Sequence, residues 1–135
     1  MTLWCCTTWF EPAVQVAPIL NIDSPEMRCG KSTALAIVGK LARRALLAAN
    51  ISPAAVFRTI EKFTPTLIID EADAFLGHNE ELRGLLNSGH TRDSAFVVRT
   101  VPVENDYEPR QFSTWGFKAI AGIGRRAARR LQIAP

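Results

Sequence analysis

Apolar residues in this chain come in short blocks whose spacing alternates between two periods. Leu67-Ile68-Ile69 is a continuous apolar run between Thr66 and Asp70, the pattern of a strand buried on both faces. Ala95–Val101 and Lys118–Ile123 read as further strands, and Leu46–Ala48 as a short one. Ala13 to Ile22 alternates loosely through Val14, Val16, Ile19 and Leu20 and predicts a buried strand. Pro18 makes that strand irregular or confines it to an edge, because proline has no N–H for a ladder.

Between these blocks the spacing turns helical. Residues 1–11, with Leu3, Trp4, Trp9 and Phe10, predict a short helix packed on the core. Leu35, Ile37, Val38 and Leu41 form one stripe from Ser32 to about Arg44, with basic residues gathering at the C-terminal end, where the helix dipole favours them. Ser52 reads as an N-cap with Pro53 at the first helical position, opening a helix to about Lys62. Asn79 caps a helix from Glu80 to Leu86, which Asn87-Ser88-Gly89 stops, and residues 102–113 read as a polar loop. Strands alternating with helices predict an α/β fold around a mostly parallel sheet.

Size and composition narrow the class. A chain of 135 residues, 47% apolar and 21% charged, suits one globular domain that buries about two-thirds of its unfolded surface. No apolar run reaches the roughly 18 residues a membrane span needs, and the N-terminus lacks the basic flank of a secretory signal. A cytoplasmic protein with no membrane partner is the expectation. Cys5, Cys6 and Cys29 offer neither a disulfide framework nor a CxxC metal spacing. The net charge of +3 is carried by Arg125, Arg126, Arg129 and Arg130; the remainder holds 12 basic and 13 acidic residues, so bulk charge does not argue for nucleic acid.

Two segments carry chemistry. Ser24-Pro25-Glu26-Met27-Arg28-Cys29-Gly30-Lys31-Ser32-Thr33 resembles a phosphate-cradling Walker A loop, although Pro25 stands where GxxxxGK[ST] has its first glycine. Gly30 would let backbone approach phosphate, Lys31 would reach the β- and γ-phosphates, Ser32 would ligate Mg²⁺, and the helix behind would turn its positive end to the anion. Asp70-Glu71 at the end of an apolar strand matches a Walker B layout, with Asp70 for Mg²⁺ and Glu71 to polarise water. A Gly-Lys-Ser turn before an amphipathic helix and a solvated acidic turn after a strand are the bland alternatives. Lys31 and Asp70 lie 39 residues apart, tight for an RNA helicase of the DEAD-box class, so Asp70-Glu71-Ala72-Asp73 is not evidence for that class. The expected fold is an α/β P-loop NTPase three-layer sandwich.

The runs SPEMRCGKST, NISPAAVFRTIEKFTPTLIIDEADAFL, NEELRGLLNSGHTR and EPRQFSTWGFKAIAGIG are together similar to the domain-of-unknown-function family 3631, which resembles the ATPase part of mobile-element primase–helicases. The likeness spans roughly residues 3–124, and the Ser-Pro-Glu form of the loop is the one this family uses. It implies ATP and Mg²⁺ as cofactors, oligomeric assembly, and work on DNA during replication within a larger assembly. It places Ser24, Glu26, Arg28, Cys29, Gly30, Lys31, Ser32 and Thr33 at the nucleotide, Ser32 and Asp70 at the metal, and Lys31 and Glu71 in catalysis. Asn87, His90 and Arg92 become candidates for sensing γ-phosphate or meeting a neighbouring subunit, against the plainer reading of a helix stop with solvated polar residues. The strand Lys118–Ile123 ends in Gly122-Ile123-Gly124 where related ATPases carry a polar sensor.

The expected organisation is therefore an ATPase-like domain over residues 1–124 and an Arg-rich tail over residues 125–135, read as a truncated or disordered end. An arginine suited to trans catalysis is missing from that tail. A truncated, non-catalytic nucleotide-binding or interaction module is the alternative function, and a small-molecule or nucleotide kinase a third.

Overall fold

Helix starts follow local side-chain chemistry. Ser52 Oγ accepts from Ala55 N at 3.2 Å and opens α3 (Pro53–Phe63); Asn79 Oδ1 accepts from Leu82 N at 3.0 Å and opens α5 (Glu80–Ser88). Each cap satisfies a backbone donor that the first helical turn leaves free. The computed structural model describes residues 1–26, 28 and 30–123. It adds α1 (Thr2–Thr8), α2 (Lys31–Leu41) and a short α4 (Ala72–Leu76) to these two helices.

Four strands, β1 (Leu20–Ser24), β2 (Ala45–Ala48), β3 (Thr66–Ile69) and β6 (Lys118–Ile123), form a parallel sheet in the order β1-β6-β3-β2. Parallel neighbours need crossovers, and the helices supply them. α2 carries the chain from β1 at one edge to β2 at the other, α3 returns it to β3, and β6 then inserts between β3 and β1. Alternation along the strands divides the core. Ile68, Ala119 and Ala121 pack with Leu35, Val38 and Ala42 of the α2 region and with Cys5 of α1. Leu67, Ile69 and Ile120 face the other way, onto Val56 and Ile60 of α3, Ala72 and Leu76 of α4, and Leu82 and Leu86 of α5. Helices thus cover both faces of the sheet. Each fully buried Leu or Ile contributes about 1.5–3 kcal/mol.

Two expectations are corrected. Ala13 to Ile22 is not one strand: Glu11–Ala13 is a 3-10 turn, Val16 makes only an isolated bridge to Thr91, and β1 begins at Leu20. Pro12 and Pro18 lack the N–H groups a ladder would use. Residues 102–113 are not a loop. β4 (Phe96–Val103) and β5 (Asp106–Ser113) pair antiparallel as a separate two-stranded sheet, turning at Glu104 with φ +51°. Pro102 and Pro109 are tolerated there because each strand has a free edge. The hairpin is anchored by Phe112, whose ring lies 4.8 Å from that of Phe57 on α3, with Leu85 completing the contact.

Among the described residues no helix is long and apolar enough to cross a membrane. Cys5 is buried and Cys6 exposed, both as free thiols. Cys29 and the tail over residues 125–135 lie outside the described residues.

Candidate functional site

At the C-terminal ends of the parallel strands the chain makes two reversals that meet. β1 ends at the buried Ser24, whose Oγ donates to the carbonyl of Glu26 at 2.5 Å and folds the Ser24-Pro25-Glu26 turn. Arg28 at φ +65° and Gly30 at φ +77° then adopt left-handed backbone. Glycine takes that conformation without penalty, and a Cβ added at Gly30 would touch nothing within 4 Å, so open space flanks the helix start. Gly30 is the N-cap of α2, and no side chain caps the helix. Lys31, half-buried, and the exposed Ser32 and Thr33 make the first turn. An uncapped helix start facing open space favours an anion.

The second reversal follows β3. Asp70 is half-buried and directed by both of its oxygens: Oδ2 accepts from Ser32 Oγ at 3.1 Å and Oδ1 from Glu71 N at 2.8 Å. Asp70 N donates to Ala48 O at 3.2 Å, continuing the β2–β3 ladder to the rim. Glu71 stands exposed at φ +53°, a left-handed conformation that costs a non-glycine residue on the order of 1–2 kcal/mol. Its carbonyl accepts from Ala74 N at 3.0 Å, which locks the turn into α4. The loop serine and the strand-end carboxylate, 38 residues apart in the chain, are therefore in direct contact across the end of β6.

Among the described residues no group of three His, Cys, Asp or Glu side chains could hold a metal alone. Ser32 Oγ and Asp70 together offer oxygen ligands on one side only. That donor set fits Mg²⁺, which dehydrates reluctantly and is usually held by one or two protein oxygens plus water and phosphate.

Asn87, His90 and Arg92 are not brought to this rim. The turn after α5 pairs with the segment upstream of β1, through Ala17 N to His90 O at 2.8 Å and Arg92 N to Gln15 O at 2.9 Å. It therefore sits at the N-terminal ends of the strands, separated from Gly30 and Asp70 by the length of a five-residue strand, about 13–16 Å. Arg92 is also fully engaged. It donates to Val14 O at 3.1 Å and Glu11 O at 2.6 Å, lies 3.5 Å from the Glu11 carboxylate, and stacks 3.7 Å from the Trp115 ring. His90 Nδ1 lies 2.7 Å from Asn87 O. Arg92 fits neither reading as stated: its side chain is not simply solvated, and it pins the N-terminal segment.

Beside that turn lies a group that no sequence pattern marks. Lys118, the first residue of β6, is fully buried and its Nζ donates to Gly89 O at 3.2 Å, Thr114 O at 3.0 Å and Gly116 O at 3.1 Å. Burial pulls its pKa down to about 7, while three carbonyl dipoles aimed at the ammonium act in the opposite sense. Gly89 is required here, since a Cβ would collide with Thr114 O and Lys118 Nζ.

No protein-family model and no curated protein matches the chain, so the resemblance to family 3631 rests on the motifs quoted above.

Proposed function

We propose that the chain binds a nucleoside triphosphate with Mg²⁺ at the rim formed by the β1–α2 loop and the end of β3, and that it hydrolyses the γ-phosphate bond, as a P-loop NTPase sandwich does. The observation that carries this reading is the hydrogen bond from Ser32 Oγ to Asp70 Oδ2. It joins the two segments whose residues together suit a metal-bound phosphate.

Backbone N–H groups at the start of α2 hold the phosphate oxygens, and Lys31 neutralises their charge. Ser32 and Asp70 would hold Mg²⁺, and the metal would supply charge neutralisation at the phosphates. Glu71, exposed beside Asp70, orients water and accepts its proton. ATP is the nucleotide the family resemblance implies, and the same resemblance suggests an oligomer working on DNA in replication.

One observation favours slow turnover by the isolated chain: Arg92 is committed at the far end of the sheet and cannot meet charge developing on the γ-phosphate. Where no other arginine takes that place, the loss is on the order of 10³–10⁵ in rate. Mg-ATP titration of wild type and Lys31→Ala tests the binding step. The wild type binds and Lys31→Ala binds at least tenfold more weakly; absence of binding by the wild type rejects the proposal.

A further inference from the structure

Among the described residues, four cations without ion-pair partners line two grooves that share Lys62. Between α3 and the β4–β5 hairpin is a groove of about 560 Å³ lined by Arg58, Glu61, Lys62, Val101, Arg110 and Phe112. A second groove, about 490 Å³, is lined by Arg44, Ala45, Leu46, Lys62, Phe63 and Pro65. Lys62 borders both, so the two adjoin and together make a track from the free edge of β2, past the C-terminal half of α3, to β5.

The charges along it are available. Arg43, Arg83, Arg92 and Arg99 each pair with a carboxylate, whereas among the described residues Arg44, Arg58, Lys62 and Arg110 form no ion pair. The Glu61 carboxylate within the groove accepts from Ser113 N at 2.7 Å and keeps its charge, and Arg44 Nη1 donates to Phe63 O at 3.4 Å. The lining therefore sets four cations against one anion. Strand pairing puts Glu108 beside Val101, at the outer end of the track. Arg110 lies 5.1 Å from the Phe112 ring, which holds its guanidinium against the groove floor. Phe63 is 57% exposed, with Lys62 Nζ 5.3 Å over its ring, so a largely exposed aromatic stands beside a cation in the second groove.

We propose that this track binds single-stranded nucleic acid, with phosphates on Arg44, Lys62, Arg58 and Arg110 and a base stacked on Phe63. A shallow channel of spaced cations around an exposed aromatic suits a phosphodiester chain with unpaired bases. A small anion would gain little from cations strung along an open groove, and an acidic polypeptide would leave the Phe63 face without a partner. The site lies away from the Gly30–Asp70 rim and does not depend on the nucleotide reading.

Anisotropy of a fluorescent oligothymidylate, measured on the full chain over a range of salt, tests this. Four phosphate contacts give a slope of log K against log salt of about −3. In Arg58→Gln/Lys62→Gln/Arg110→Gln the slope falls to about −1, affinity drops at least tenfold, and Mg-ATP binding is unchanged. Phe63→Ala weakens binding about tenfold and leaves the slope alone. Lys40→Gln, an exposed cation on α2 away from the track, matches the wild type. Circular dichroism and urea unfolding confirm that each variant is folded. Unchanged binding in the folded triple variant overturns the proposal, and would place any residual affinity on the arginines of residues 125–130. Equal competition by polyglutamate, or a preference for duplex, overturns it as well.

Discussion

Glu71 combines a strained backbone with an exposed carboxylate, and substitution separates the two. At φ +53° a residue with a Cβ pays on the order of 1–2 kcal/mol that glycine does not. Glycine gives back about 0.5–1 kcal/mol through the larger entropy of its unfolded chain. Glu71→Gly is therefore expected to be more stable than Glu71→Ala by about 1 kcal/mol, or roughly 3 °C in Tm for a chain of this size. The two variants lack the same carboxylate and keep the same backbone bond from residue 71 N to Asp70 Oδ1, 2.8 Å in the native chain, so their difference isolates the strain. Urea unfolding measures stability, and steady-state phosphate release at saturating Mg-ATP measures turnover. Both variants, and Glu71→Gln, lose about 10²–10⁴ in turnover while retaining nucleotide binding. Equal stability of the glycine and alanine variants would refute the strain argument; undiminished turnover would remove Glu71 as the base.

Ser32→Ala removes the Asp70 partner and one metal oxygen, so nucleotide affinity should fall about tenfold or more with Mg²⁺ present and change little with EDTA, measured by titration calorimetry. Lys118→Met leaves Thr114 O and Gly116 O without their donor while Gly89 O keeps Gly116 N at 3.3 Å, and should cost about 2–4 kcal/mol at neutral pH. The Lys118 pKa is near 7 when folded and 10.5 when unfolded, so between those values the unfolded chain binds more protons. Stability of the wild type therefore rises with pH in that window, by at most about 1.4 kcal/mol per unit, and a Lys118→Met profile parallel to the wild type would contradict this. Gly89→Ala drives a Cβ into Thr114 O and Lys118 Nζ and should destabilise by about 3 kcal/mol, whereas Gly84→Ala, with open space at its Cβ inside α5, should stabilise by about 0.5–1 kcal/mol; urea midpoints distinguish them.

What could be read from sequence was what depends on neighbours in the chain. Ser52-Pro53 and Asn79 announced their helices because a cap acts across three residues, and Leu67-Ile68-Ile69 announced a core strand because nothing polar interrupts it. The meeting of Ser32 with Asp70 was legible because a strand before the loop and a strand before the acids must end on one side of a parallel sheet. The first strand of the hairpin was legible, but the return strand escaped because Arg110, whose guanidinium lies over the Phe112 ring, stands where a sequence pattern expects an apolar residue. Lys118 and Arg92 escaped for a related reason. Their acceptors are backbone carbonyls, and those of Arg92 lie 78 and 81 residues away, so no residue type at any local spacing marks them.

The two ends of the sheet consequently differ in what they tolerate. At the C-terminal rim, Gly30, Arg28 and Glu71 hold left-handed backbone, α2 starts without a side-chain cap, and the Asp70 carboxylate, among the described residues, is held by Ser32 and its own turn. That rim is costly to fold and open to a ligand that would repay the cost. At the N-terminal end, Lys118, Arg92 and Gly89 weld α5, the residues before β1 and the β5–β6 connection through buried and part-buried polar contacts. Because β6 starts at Lys118 and ends between the β1 and β3 reversals, the rigid end fixes the separation of Ser32 and Asp70. Loosening the weld with Lys118→Met should then weaken Mg-ATP binding even though no contacting residue has changed. Raising temperature toward the variant's Tm should widen that deficit, and a variant that binds as the wild type does well below its Tm would show that the rim organises itself.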